Sequence, residues 1–230
     1  MSKILKIFDR ITLEYVKKRT LLTFLIVQNV IFALIVLIFA NVIISNANVT
    51  GELDYNQIKN FYMLVIILLY TGSFIVVPVI ISPVLYTYYK NHIMEHLMAV
   101  KIDIDDIVFA VFIRGFSLVL ISFFSALPIA SVAFYFGGFG IIKLLKLLTC
   151  LIFYILLLSV VCIYISTRIL DGNLAVVVSY IVCLFLLAFN LLTIRAILAS
   201  LNLFIIYVAF ISIVALILLS LARKTTIFKV

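Results

Sequence analysis

The sequence predicts an all-α integral membrane protein with six transmembrane helices, an N-terminal amphipathic interfacial helix and a short cytoplasmic helix. Hydrophobic residues make up 67% of the 230 residues and charged residues only 11%, whereas soluble domains carry about 25% charged residues. A soluble domain of this size could not cover so much apolar surface. Six continuous apolar runs are each long enough to cross a bilayer as a helix, which needs about 20 residues.

The six runs form one predicted six-helix membrane domain, residues 21–230, and an N-terminal segment, residues 1–20, precedes it. The runs are continuously apolar and lack the alternation that membrane barrel strands show. All three prolines lie within them, where neighbouring helices can satisfy the carbonyls that proline frees. The predicted spans are residues 21–44, 61–89, 107–136, 144–165, 174–192 and 203–221.

The N-terminal segment 1–20 has the pattern of a helix that lies along the membrane surface. Its apolar residues Ile4, Ile7, Ile11 and Tyr15 recur every three or four positions, and basic residues flank them. This pattern is typical of an amphipathic interfacial helix. Such a helix either anchors the chain to membrane lipid or also contacts a cytoplasmic partner.

The distribution of Lys and Arg predicts that both termini are cytoplasmic. With the N-terminus inside, only Lys59, Lys143, Lys146 and Arg195 of the 17 basic residues fall on the outer side, which leaves thirteen inside. Cytoplasmic loops carry this excess in membrane proteins. The net charge of +8 therefore reports topology and contact with anionic lipid, and it gives no reason to expect a nucleic-acid partner.

Polar side chains within the predicted spans are candidates for a substrate pathway. They are expected to face the helix bundle or a pathway, although packing contacts between helices explain many such residues. Arg114 either extends towards the inner headgroups or faces protein or water. No Asp or Glu lies within a predicted span, which argues against a pump coupled to protons or cations. The candidate pathway residues are Gln28, Asn29, Tyr70, Thr71, Ser73, Arg114 and Asn190.

No metal site or cofactor is predicted on this chain. The three cysteines lie in apolar runs without a CxxC pair, and we interpret them as small core or lipid-facing residues. The segment from His92 to His96 fits the H-x-x-E-H zinc pattern, but these are the only two histidines and no third ligand can be placed. No nucleotide-binding P-loop occurs, so any ATP must be hydrolysed by another chain.

The longest inner loop, Lys90–Asp106, holds four of the nine acidic residues beside apolar Leu97, Met98 and Val100. Together with the start of the next span it resembles the coupling segment of the type-2 family of ATP-binding-cassette (ABC) exporter permeases. The overall layout of amphipathic helix, six spans and about 230 residues is similar as well. The residues that match the family pattern are Glu95, Leu97, Met98, Lys101, Asp105, Asp106, Ile107, Val108 and Arg114.

The resemblance implies a transport subunit and not an enzyme. In that family this loop forms a coupling helix that docks into a groove of a cytoplasmic ABC ATPase subunit, and ATP and Mg bind to that subunit. One six-span chain would form half of an export pathway in a bacterial plasma membrane, as a dimer with a second copy or a related permease. The expected cargo is an amphiphilic or hydrophobic peptide, lipid or drug. The residues expected to bind the ATPase are Glu95, Leu97, Met98, Val100, Lys101, Asp103, Asp105 and Asp106.

Two other functions remain open on the sequence. The first is a substrate-binding membrane component of an importer, or an energy-independent carrier. The second is an intramembrane hydrolase, against which stands the lack of a G-x-S-x-G motif, of paired carboxylates and of a His–Ser pair within the spans.

Overall fold

A computed structural model describes residues 30–38, 55–90, 106–121, 141–169 and 171–223, with isolated positions 27, 41, 42 and 45. At positions 55–62, 73 and 83–90 it describes the backbone alone. The N-terminal segment 1–20 and the inner loop 91–105 lie outside the described residues.

The described residues are helical apart from short turns, and no strand occurs among them. Four helices are long and apolar enough to cross a membrane, which confirms the all-helical class and indicates an integral membrane protein. They coincide with the second, fourth, fifth and sixth predicted spans. Shorter helical stretches at 30–38 and 106–121 lie within the first and third predicted spans. The four long helices are α1 (Tyr55–Lys90), α2 (Ile141–Ser166), α3 (Gly172–Ala199) and α4 (Leu201–Arg223).

Helix α2 is the core of the described bundle, because it packs against α1, α3 and α4. About two thirds (67%) of its apolar window is buried, against 28% for α3 and 17% for α4. The exposed faces of α3 and α4 carry large apolar side chains such as Phe185, Leu192 and Leu216. Such faces suit lipid chains, which are as apolar as leucine.

Small residues on one face of α3 allow the close packing around α2. Gly172, Ala175, Ser179 and Cys183 recur every three or four residues and are all buried. This spacing places them on one side of the helix, where short side chains let neighbouring backbones approach. Both α1 and α2 pack against α3.

Helix α1 stays helical through Pro78 and Pro83. A proline inside a helix removes one backbone hydrogen bond and crowds the preceding turn. The carbonyl of Ile75, in the turn before Pro78, accepts a hydrogen bond at 3.0 Å from the Tyr180 hydroxyl of α3. A neighbouring helix thus supplies a donor next to a proline, as expected for prolines in membrane spans.

The connections between the last three helices are short. Asp171 caps the start of α3, where its carboxylate accepts hydrogen bonds from the backbone N–H of Asn173 and Leu174 at 2.9 and 3.3 Å. Ser200 alone separates α3 from α4. Its N–H donates to the Ala196 carbonyl at 3.1 Å, and its hydroxyl accepts from the Leu203 N–H at 3.4 Å.

The predicted boundaries near Ser200 are wrong, since residues 193–202 were expected to form a loop. The structure keeps them helical on both sides of the single-residue corner. Polar side chains interrupt the apolar run here, but they satisfy themselves within the helix. The Thr193 hydroxyl, for example, donates to the Phe189 carbonyl at 2.9 Å.

The helical stretch 106–121 packs tightly against α1 at Gly115. A Cβ atom added to Gly115 would lie 2.7 Å from Cγ1 and 3.1 Å from Cδ1 of Ile81. Contacts below 3 Å are not tolerated without movement, and Ile81 is fully buried. Glycine at position 115 therefore permits this helix contact.

The Gly115→Ala substitution is expected to destabilise the folded protein by about 1–3 kcal/mol, because it overpacks the contact with Ile81. Ile81→Ala alone leaves a cavity and also destabilises. In the double variant the new methyl group enters the space that the Ile81 side chain vacates. The double variant therefore loses less free energy of unfolding than the two single variants together. Reversible unfolding in mixed micelles measures the three values. Simple additivity would contradict the contact.

Candidate functional site

Buried polar side chains from all four long helices meet in the core. Tyr70 of α1, Tyr154 of α2, Asn190 of α3 and Tyr207 of α4 form what we call the tyrosine cluster. Each is at most 8% exposed, and the two first-named rings are fully buried. Tyrosine is enriched at membrane interfaces, so three buried tyrosines inside membrane-spanning helices indicate a special role.

Ring contacts and one hydrogen bond hold the cluster together. The Tyr70 and Tyr154 rings lie with centroids 4.8 Å apart and planes tilted by 33°. The Tyr207 hydroxyl donates to Oδ1 of Asn190, and Nδ2 of Asn190 donates to the Leu186 carbonyl at 2.8 Å. Tyr207 also lies beside Tyr70. The cluster thus connects α1 to α2 and α3 to α4.

Two hydroxyl groups of the cluster lack a hydrogen bond. The Tyr70 and Tyr154 hydroxyl oxygens are buried and have no partner among the described residues; Tyr70 lies close to Tyr207 but outside hydrogen-bond geometry. An unsatisfied buried polar group destabilises a protein by about 1–3 kcal/mol. Native proteins pair 90% or more of such groups, and an exception calls for a specific explanation.

The cluster holds no charged side chain. Lys146 also lies on α2, one turn before Cys150. Its ammonium group lies 6.0 Å from the centre of the Phe204 ring. This cation–π contact occupies the ammonium with the face of an aromatic ring. What the cluster offers chemically is a set of neutral hydrogen-bond donors on aromatic rings.

A second buried polar group, the serine–cysteine cluster of Ser82, Cys162, Ser179 and Cys183, lies further along the same helices. The Ser82 hydroxyl donates to the Ser179 hydroxyl oxygen at 3.0 Å, which joins α1 to α3. The Cys162 and Cys183 sulfurs lie 3.8 Å apart, which joins α2 to α3. All four residues are fully buried. The contacts within this cluster satisfy its polar atoms, so helix packing is sufficient to explain why these residues are buried.

The structure brings together two of the predicted pathway residues and not the others that it describes. Tyr70 and Asn190 belong to the tyrosine cluster. The Thr71 hydroxyl donates to the Ile67 carbonyl of its own helix at 2.7 Å. Arg114 is half-buried in the stretch 106–121, where its carbonyl accepts from the Ser117 hydroxyl at 2.8 Å. Ser73 lies on α1 with its backbone alone described.

Most of the predicted partner-binding residues lie outside the described residues. Asp106 is exposed in the helical stretch 106–121. All three cysteines are buried with free thiols, so the interpretation as core residues is confirmed and the lipid-facing alternative is wrong. The predicted residues outside the described part are Gln28, Asn29, Glu95, Leu97, Met98, Val100, Lys101, Asp103 and Asp105.

Tyr154 and Tyr207 are the cluster residues that the sequence analysis missed. Tyr154 lies in the middle of its predicted span, 144–165, and that position was the available signal. A tyrosine at the middle of a span is far from the interface belts where its hydroxyl is normally solvated.

Within the described ranges, no group of three or more His, Cys, Asp or Glu side chains could hold a metal ion. No protein-family model, curated protein or solved structure matches this chain. The described residues show a helical protein whose four apolar helices indicate an integral membrane protein, with a neutral polar cluster in its core.

The cysteine contact predicts a specific cross-link. Oxidation with copper-phenanthroline should consume the Cys162 and Cys183 thiols together, because a small rotation of both side chains brings sulfurs 3.8 Å apart to the bonding distance of about 2.05 Å. Alkylation after denaturation, followed by mass spectrometry of the peptides, counts the thiols. Cys150→Ala should keep the cross-link and Cys162→Ala should lose it. A cross-link that uses Cys150 would contradict the packing of α2 on α3.

Proposed function

We propose that this chain is the membrane permease subunit of an ABC exporter, and that it forms half of a pathway for an amphiphilic or hydrophobic substrate. Its six spans follow the interfacial helix 1–20, with both termini on the cytoplasmic side of a bacterial plasma membrane. A second copy or a related permease completes the pathway. A separate ATPase subunit binds ATP and Mg and docks on the loop between Lys90 and Asp106.

The observation that carries the proposal is the way the two helices around this loop are joined. Ile81 lies nine residues before Lys90, and Gly115 lies nine residues after Asp106. Their contact therefore lies nine residues, or about 13 Å of helix, from Lys90 on one side and from Asp106 on the other. A displacement of the loop acts on a locked pair of helices, so it moves both. Such a pair is compatible with a segment that transmits ATPase motion, and in this way it supports the proposal.

Two further features support an exporter. Helices α1 to α4 contain no Asp or Glu, and carboxylates within the membrane are the usual means of coupling transport to an ion gradient. Energy from a separate ATPase therefore fits these helices better than coupling to an ion gradient. The tyrosine cluster places neutral polar groups inside an apolar bundle, which suits cargo that enters from the bilayer with only a small polar part.

Topology provides a first test. Single cysteines introduced at Asn56 and at Asn91, in a variant without the three native cysteines, should react with a membrane-impermeant maleimide from opposite sides. The reason is that α1 separates the two positions and crosses the membrane between them. Labelling of intact cells against inverted vesicles gives the result, with Asn91 accessible only in the vesicles. Reaction of both positions from one side is incompatible with six spans.

Assembly with an ATPase is the decisive test. Leu97→Ala or Met98→Ala should weaken assembly or uncouple hydrolysis from transport, because truncating a buried anchor at an interface often costs about 2 kcal/mol or more of binding free energy. Asp103→Asn is the matched control, since a charge at the rim mainly changes the association rate. Co-purification of ATPase activity with the tagged chain, and its rate in reconstituted membranes, provide the readout.

The outcomes separate the candidate functions. Loss of ATPase activity in the Leu97 and Met98 variants, with normal insertion of the chain, supports the coupling loop. If a deletion of residues 95–103 leaves both co-purification and hydrolysis unchanged, the exporter proposal fails. Substrate binding without any associated ATPase would favour the importer component or the energy-independent carrier.

A further inference from the structure

We infer that the Tyr70 and Tyr154 hydroxyls form a binding site for an uncharged hydrogen-bond acceptor, such as the ester or amide carbonyl of an amphiphilic molecule. Both hydroxyls are buried without a partner among the described residues, on rings that contact each other. That such a molecule is transported cargo rests on the proposed exporter function. The binding itself needs neither ATP nor an ATPase subunit.

The ligand is an acceptor because the two hydroxyls need somewhere to donate. A phenol has one O–H donor, and a carbonyl oxygen offers two lone pairs. Tyr207 donates to Asn190 and Asn190 donates to the Leu186 carbonyl, and among the described residues no acceptor lies within hydrogen-bond geometry of the Tyr70 or Tyr154 hydroxyl. Hydrocarbon around the helices offers no acceptor. A carbonyl brought in by a ligand supplies the acceptor that the described residues do not.

The ligand is uncharged at this point because nothing in the cluster could balance a charge. The cluster consists of three phenols and one amide, and the Lys146 ammonium lies over the Phe204 ring. Burying an isolated charge in apolar surroundings is far more unfavourable than burying a neutral polar group. An ester or amide, which carries acceptors and no charge, is the chemistry that fits.

The position of the two hydroxyls also indicates how the ligand gains access. Tyr70 belongs to α1 and Tyr154 to α2, and both rings are fully closed off from the surroundings. A ligand therefore reaches the hydroxyls only when the helices packed around them separate, and α1 carries one of the two hydroxyls. Helix α1 is the element that ends at Lys90, where the inner loop begins. Helix α1 therefore connects the inner loop to the site, so movement of the loop can affect access.

The test compares three probes with matched chains on the purified protein in lipid nanodiscs. Methyl laurate carries a neutral ester, tridecane has no acceptor, and dodecyltrimethylammonium carries a cation. Native mass spectrometry measures the bound fraction of each probe at equal mole fraction in the bilayer. Thermal unfolding without probe is measured for the same samples. The variants are Tyr70→Phe and Tyr154→Phe, and the matched control is Tyr180→Phe.

Methyl laurate is expected to bind at least about tenfold better than tridecane, because two hydrogen bonds form. Tyr70→Phe and Tyr154→Phe should each weaken ester binding about fivefold, leave tridecane binding unchanged, and leave the Tm unchanged or higher, since each removes an unsatisfied hydroxyl. Tyr180→Phe removes a satisfied hydroxyl that donates to the Ile75 carbonyl. It should lower the Tm by about 2–4 °C without affecting ester binding.

Three results would overturn the inference. Equal binding of the ester and tridecane removes the need for a donor site. Preferred binding of the ammonium probe assigns the rings to cation recognition instead. A fall in Tm for Tyr70→Phe or Tyr154→Phe as large as that for Tyr180→Phe shows that the hydroxyls are already paired. None of these readouts depends on an ATPase, so the test of this inference is independent of the test of the exporter proposal.

Discussion

A hydrocarbon surrounding gives no hydrogen bonds, so each polar atom within the spans depends on the protein for its partner. Most of the described polar side chains meet this demand locally, as Thr71 does by donating to Ile67 one turn back. The Ser82–Ser179 pair meets it between helices. This constraint makes the exceptions informative. Among the described residues, the buried hydroxyls of Tyr70 and Tyr154 have no partner, and functional sites are where real proteins are expected to break such a rule.

Helix α2 organises both polar clusters. Tyr154 on α2 contacts Tyr70 of α1, and Cys162 on α2 contacts Cys183 of α3. The two clusters differ in kind, because the serine–cysteine contacts are complete and the tyrosine cluster is not. The bundle therefore has one region where α1, α2 and α3 are bound to each other through satisfied groups. It has another where α1 and α2 meet across rings whose hydroxyls remain available.

The sequence was sufficient to locate the four long helices that the structure describes, because length and hydropathy indicate whether a segment can span a bilayer. It did not reveal which residues meet. Lipid-facing and core-facing side chains are both apolar, so the pattern of a span says little about its rotation. The polar residues Tyr70 and Asn190 were singled out from the sequence, and the mid-span position of Tyr154 was an equal signal, but that these residues and Tyr207 meet depends on how the helices cross. The corner at Ser200 was missed for a related reason. Polar residues that cap a helix or form hydrogen bonds within it lower the local hydropathy, so hydropathy alone predicts a loop there.

The single-residue corner at Ser200 has a consequence for biosynthesis. Only Ser200 separates α3 from α4, and the polar side chains near it are Thr193, Arg195, Ser200 and Asn202. Moving one arginine across the apolar centre costs about 2.5–3.5 kcal/mol on the insertion scale, whereas each Leu, Ile, Phe or Val contributes about −0.3 to −0.6 kcal/mol. The apolar residues of the two helices far outweigh that cost. The pair is therefore apolar enough to enter the bilayer together.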